Sequence, residues 1–133
     1  MSSIHPEIFV VDDDIIFHRL LSVTLEEIYP GMSFFSNGES FLEKISNGIV
    51  PDLVVLDFNL GSMTGLEILR KARKLCPDLK VVVLSAQEDV EVAVKVIKAG
   101  AYDYIVKNSD AMSNLKMSIN CLQESETGFL TWN

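Results

Sequence analysis

The sequence predicts an α/β domain, a doubly wound five-stranded parallel sheet with strand order 2-1-3-4-5 and helices on both faces. Three observations predict it. Short apolar runs alternate five times with stretches of helical spacing. The runs are near-continuous Val, Leu and Ile rather than alternating apolar and polar, as strands covered on both faces require. Right-handed crossovers then leave few topologies, of which this order is the common one.

The elements follow in order. Ile8-Phe9-Val10-Val11 is the first strand, and it stops at Asp12-Asp13-Asp14. Ile15, Ile16, Leu20, Leu21, Val23, Leu25 and Ile28 have the spacing of a helix face, and Pro30-Gly31 ends that helix. Met32-Ser33-Phe34-Phe35 is a short second strand. Asn37-Gly38 turns the chain, and Phe41, Leu42 and Ile45 mark a helix closed by Asn47-Gly48. Leu53-Val54-Val55-Leu56 is the third strand, ending at Asp57. The loop from Asn59 to Gly65 opens a helix with Leu66, Ile68, Leu69, Ala72 and Leu75, stopped by Pro77. Val81-Val82-Val83-Leu84 is the fourth strand, ending at Ser85. Val90, Ala93, Val94, Ile97 and Ala99 form the next helix face, with Gly100 past its end. Tyr102-Asp103-Tyr104-Ile105-Val106 is the fifth strand, ending at Lys107, and Met112, Leu115, Ile119 and Leu122 give the last helix. The expected organisation is one domain over residues 6–125, with 126–133 a tail or the start of a linker.

The 133 residues suit one domain, and 48% hydrophobic with 23% charged residues is ordinary for a globular chain. A net charge of −8 argues against a nucleic-acid or anionic membrane surface and suits an acidic cluster holding a divalent cation. No apolar run reaches the ~18 residues of a membrane span, and the N-terminus lacks the pattern of a signal peptide. A cytoplasmic location is expected, with Cys76 and Cys121 as packed free thiols. His5 and His18 are read as surface residues, and Phe34, Phe35, Met112 and Met117 as core.

The chemistry lies at the strand ends, because ligands of such sheets bind beyond the carboxyl ends of the strands. Asp12 and Asp13 follow the first strand, Asp57 the third, Ser85 the fourth and Lys107 the fifth. In the expected order these four strands are neighbours. Three carboxylates, a hydroxyl and an ammonium therefore converge on one crevice. Clustered carboxylates repel one another, and a hard cation such as Mg²⁺ relieves that. A carboxylate is a nucleophile toward phosphorus, while a cation, a Lys and a hydroxyl neutralise phosphoryl oxygens. Simpler roles compete. Asp14 opens a helix as its N-cap, Ser85 with Glu88 fits a capping box, and Tyr104 fits a packed strand aromatic.

The chain resembles the receiver domain of two-component response regulators, over about residues 6–125. The resemblance rests on Val10-Val11-Asp12-Asp13-Asp14, on Pro51 to Asp57 with Gly65-Leu66-Glu67, on Val83-Leu84-Ser85-Ala86, and on Gly100 to Lys107. It implies a flavodoxin-like (βα)5 fold with Asp57 as phosphoacceptor. It also implies a Mg²⁺ site, open to Mn²⁺, built from Asp12, Asp13, Asp57 and the backbone carbonyl of Asn59. Asp13 is then the direct ligand and Asp12 acts through water. Ser85 and Lys107 bind the phosphoryl group, and Ser85 with Tyr104 forms the switch. The implied donor is a sensor histidine kinase or a histidine phosphotransfer protein. The implied output is a change at the surface of helix 4, strand 5 and helix 5, read by a partner of unknown identity, with homodimerisation on phosphorylation as one form. Such a domain is not an enzyme; it catalyses only its own phosphorylation and dephosphorylation. Four positions depart from the family. Leu60-Gly61 replaces a Met-Pro pair and is expected to loosen that loop. Thr64 replaces an Asp, and Asn108 replaces a Pro, so the peptide there is expected to be trans. Two rivals fit less well. A phosphatase of the haloacid-dehalogenase type wants an acid where Asn59 stands, and a pseudo-receiver interaction module would lack Asp57 or Lys107.

Overall fold

The computed structural model describes residues 6–127. Five strands form one parallel sheet: β1 Ile8–Val11, β2 Met32–Phe35, β3 Leu53–Asp57, β4 Val81–Ser85 and β5 Asp103–Val106. Their spatial order is β2-β1-β3-β4-β5. The helices are α1 Ile15–Leu25, α2 Gly38–Ser46, α3 Gly65–Leu75, α4 Val90–Lys98 and α5 Ala111–Thr127. The expected fold class, strand order and element sequence are all present. Residues 1–5, His5 among them, and residues 128–133 of the expected tail lie outside the described residues.

The period-two geometry of the strands sorts the core into two layers. Ile8, Val10, Leu53, Val55, Val82, Leu84 and Ile105 face α1 and α5. Phe9, Val11, Val54, Leu56, Val81 and Val83 face α2, α3 and α4. Every residue of the three central strands β1, β3 and β4 is buried, which is why their runs are apolar without interruption. Each such Val, Leu or Ile contributes about 1.5–3 kcal/mol by leaving water.

The faces of two helices differ from expectation. On α1 the buried positions are Phe17, Leu21 and Leu25, while Ile15, Ile16, Leu20, Val23 and Ile28 are exposed. The helix ends at Leu25, before the expected Pro30-Gly31 stop. It carries more aliphatic residues than one face can bury. The Asp14 side chain caps its first turn, accepting from the N–H groups of Ile16 and Phe17. On α4 only Val96 is fully buried, with Val92 packed on the core; Val90, Val94 and Ile97 are exposed. Leu75 and Met117 are exposed as well, and His18 is half-buried with its ring 4.9 Å from that of Phe34.

The loop after β3 is built as a hairpin. Asn59–Leu60 and Met63–Thr64 form a short antiparallel hairpin whose Leu60 and Met63 are buried. Gly61, at φ 75°, makes its turn, a conformation that a side chain would strain. Thr64 then caps α3 in a reciprocal capping box with Glu67, a Thr-x-x-Glu signal the sequence carries. No peptide among the described residues is cis, so Asn108 is trans as expected, and both cysteines are free. No helix of the described residues is long and apolar enough to cross a membrane.

Candidate functional site

Strand register places the site. Val11 pairs with Leu56, so Asp12 and Asp57, each one residue further, lie side by side. Asp57 pairs with Leu84, and Ser85 pairs with Val106, which brings Ser85 and Lys107 to the same edge. The N–H of Lys107 donates to the Ser85 carbonyl at 2.8 Å.

Carboxylate oxygens of Asp12, Asp13 and Asp57 lie within 4.8 Å of one another. Asp12 is 0% exposed and Asp57 6%, while Asp13 is open to solvent. The Asp12 Oδ1 accepts the N–H of Asp14 at 2.9 Å. Its Oδ2 lies 2.7 Å from Lys107 Nζ but has no aligned hydrogen bond. The same ammonium stands 3.6 Å from Asp57 Oδ1 and 4.5 Å from the centre of the Phe17 ring. Burial, first, and then the charge of Asp12 push the Asp57 carboxyl up from 3.8 to about 6; Asp13 adds a smaller push. Lys107 and a backbone N–H of Asn59 pull it part of the way back. This donor set suits a small hard cation: three clustered carboxylates, two of them buried.

Close packing puts α3 beside the acceptor. Gly65 donates its N–H to the Phe58 carbonyl at 2.7 Å, and a Cβ there would stand 2.7 Å from Phe58 Cα. Only glycine allows that approach. Ser85 is buried, and its Oγ accepts the N–H of Gln87 at 3.3 Å. It does not cap α4; Asp89 does, accepting from Glu91 and Val92. Asn59 and Ser85 share the walls of a cleft of about 230 Å³ with Phe58, Gln87 and Asp89. Tyr104 lies on the flank of this group, its hydroxyl donating to the Gln87 carbonyl at 2.9 Å.

The structure thus brings Asp12, Asp13, Asp57 and Lys107 together, with Ser85 and Asn59 at the margin and Tyr104 reaching in through Gln87. Asp14 is a helix cap. Two contacts were missed in the sequence. Phe17 follows the acidic triplet in a stretch where every neighbouring aliphatic competes for the inward face. Gln87 takes part only through its backbone, which no side-chain pattern reveals.

A parallel sheet in this order, with an acidic cluster and a lysine at its carboxyl edge, defines a flavodoxin-like α/β domain with a candidate cation site. The family model for the response regulator receiver domain matches residues 8–120, and the chain belongs to that family. It is 34% identical over 110 residues to the transcriptional regulatory protein ZraR of Klebsiella oxytoca, covering 83% of this chain and 25% of that protein. It is 30% identical over 122 residues to the DNA-binding transcriptional regulator NtrC of Escherichia coli K12, covering 90% of this chain and 26% of that one. The chain thus spans about a quarter of the length of these curated relatives. Among solved structures, a CheY-like receiver domain protein from Methanospirillum hungatei superposes with TM-score 0.81 at 30% identity, over 93% of this chain and 98% of that one. The BeF3-activated receiver domain of DrrB superposes at 0.74 with 29% identity, over 88% and 99%.

Proposed function

We propose that this domain takes a phosphoryl group onto Asp57 and reports it through a change of surface. The observation that carries this reading is the cluster of Asp12, Asp13 and Asp57 with Lys107 between two of its members. Asp12, Asp13, Asp57 and the Asn59 carbonyl would hold Mg²⁺, or Mn²⁺. The ion would supply charge neutralisation to the carboxylates and to the phosphoryl oxygens. An Asp57 oxygen attacks phosphorus, the bond from phosphorus to the donor imidazole nitrogen breaks, and that nitrogen keeps the electron pair. Lys107 moves from Asp12 to a phosphoryl oxygen, and the Ser85 hydroxyl donates to another. Drawn toward phosphate, Ser85 pulls on the loop that Tyr104 grips at Gln87, and so on the α4–β5–α5 surface.

The donor is a phosphohistidine on a sensor kinase or histidine phosphotransfer protein. Its docking face is the exposed stripe Ile15, Ile16, Leu20 and Val23, which starts one residue after the acidic triplet. The output is control of transcription, by analogy with the named relatives, through a partner or through further chain beyond residues 6–125. Dimerisation on phosphorylation and a cytoplasmic location belong to the same reading.

The test is treatment with acetyl phosphate and Mg²⁺, read by intact mass. One added phosphoryl group is expected, and Asp57→Asn abolishes it. Labelling of the variant at the wild-type rate would refute Asp57 as acceptor. Rapid turnover of a phosphomonoester would favour a phosphatase, and no reaction at all a pseudo-receiver.

A further inference from the structure

We infer that Phe17 is a positioning residue for phosphoryl transfer, its ring holding the Lys107 ammonium over the crevice; the inference rests on Lys107 binding the phosphoryl group. Lys107 Nζ has three attractions: Asp12 at 2.7 Å, Asp57 at 3.6 Å and the Phe17 ring centre at 4.5 Å. Only the third is neutral. A divalent cation and a phosphoryl group both claim the carboxylates, so Lys107 must let go of Asp12 when they arrive. The ring remains. A cation keeps its attraction to an aromatic face out to about 6 Å from the centroid, so Nζ can swing toward a phosphoryl oxygen without leaving it.

The ring is itself well fixed. Phe17 is 7% exposed and packs in the layer that contains Leu21, Ile105, Ala111 and Leu115. Its N–H is held by Asp14 Oδ1 at 3.2 Å, so the cap that starts α1 also fixes the backbone that carries the ring. The Lys107 side chain is 15% exposed, and shielding of this kind strengthens a cation–ring contact. The hydrogen bonds of the segment after Lys107 are local turns: Asn108 N–H donates to the Val106 carbonyl, Asn108 Oδ1 accepts from Asp110 N–H, and the Asn108 carbonyl accepts from Ala111 N–H, with Ala111 buried in the core. The ring supplies a fixed surface that those turns do not.

Three measurements test this. In the wild-type protein the ε-methylene protons of Lys107 should show upfield NMR shifts from the ring current, and Phe17→Leu should abolish them; ordinary shifts in the wild type would overturn the contact. Phe17→Leu, or Phe17→Met if Leu perturbs folding, should slow labelling by acetyl phosphate with Mg²⁺ about five- to thirtyfold, while Phe17→Tyr keeps the rate near wild type. In a Lys107→Gln background the Leu change should have no further effect, because the ring acts through the lysine. An equal slowing in both backgrounds, or none in either, refutes the inference and leaves Phe17 as core filler. If wild type and Asp57→Asn both fail to label, the phosphoacceptor reading fails instead, and the ring-current measurement still decides the contact.

Discussion

At the scale of single residues, the hydroxyl of Tyr104 joins β5 to the β4–α4 loop through one hydrogen bond to a carbonyl. Removing that hydroxyl differs from removing the ring. Tyr104→Phe should keep the packing and lose the grip on Gln87; Tyr104→Ala loses both. With beryllofluoride as phosphoryl mimic, NMR shift changes over residues 88–124 should be reduced in the Phe variant and largely lost in the Ala variant, while acetyl phosphate still labels both. A wild-type pattern in Tyr104→Ala would leave the tyrosine a packed strand aromatic. Asp12, Asp57, Ser85 and Lys107 were legible in the sequence because each is the first polar residue after an apolar run. Phe17 and Gln87 were not. One depends on how a helix is rotated, and the other offers only a main-chain oxygen.

At the scale of elements, spacing located every helix but misjudged which face α1 and α4 bury. Periodicity finds a face only when apolar residues are few enough to occupy one. On α1 packing against the sheet takes Phe17, Leu21 and Leu25, spaced four apart, and leaves Ile15 at 75% and Ile16 at 80% exposure. Surface charges there disturb no packing, so Ile16→Asp should change stability by less than about 0.5 kcal/mol and leave labelling by acetyl phosphate intact. Transfer from a phosphorylated histidine kinase should slow by about tenfold or more, as for loss of a central contact in an interface. Equal transfer rates would move the docking face elsewhere. The loop after β3 teaches a similar lesson. Leu60-Gly61 looked loose, yet the hairpin buries Leu60 and Met63 and delivers Gly65 against Phe58. Gly65→Ala should lower stability by about 1–3 kcal/mol, measured by urea denaturation, because backbone must shift to admit the methyl. It should also impair labelling by displacing Asp57, which neighbours Phe58.

At the scale of the whole molecule, the uninterrupted Val and Leu runs made the sheet and its order legible, since strands buried on both faces have no polar side to show. Global stability carries the electrostatics of the site. The carboxyl of Asp57 is raised in the folded state from 3.8 to about 6, so its protonated form stabilises the fold. That contribution is complete below about pH 4 and is lost as pH rises through about 6. In chelator, wild type should lose Tm across this window relative to Asp57→Asn, and Mg²⁺ should offset that difference at neutral pH. Calorimetry at pH 4.5, 5.5 and 7 checks this, and identical slopes for wild type and Asp57→Asn would contradict it. The site also draws its members from the ends of β1, β3, β4 and β5, so no contiguous stretch of chain contains it. On the proposed reading, a chain still emerging from the ribosome lacks a complete acceptor site until β5 and Lys107 have followed β1, β3 and β4, and one clipped before β5 never gains it. Phosphoryl acceptance, as proposed, would then mark a chain translated at least through Lys107.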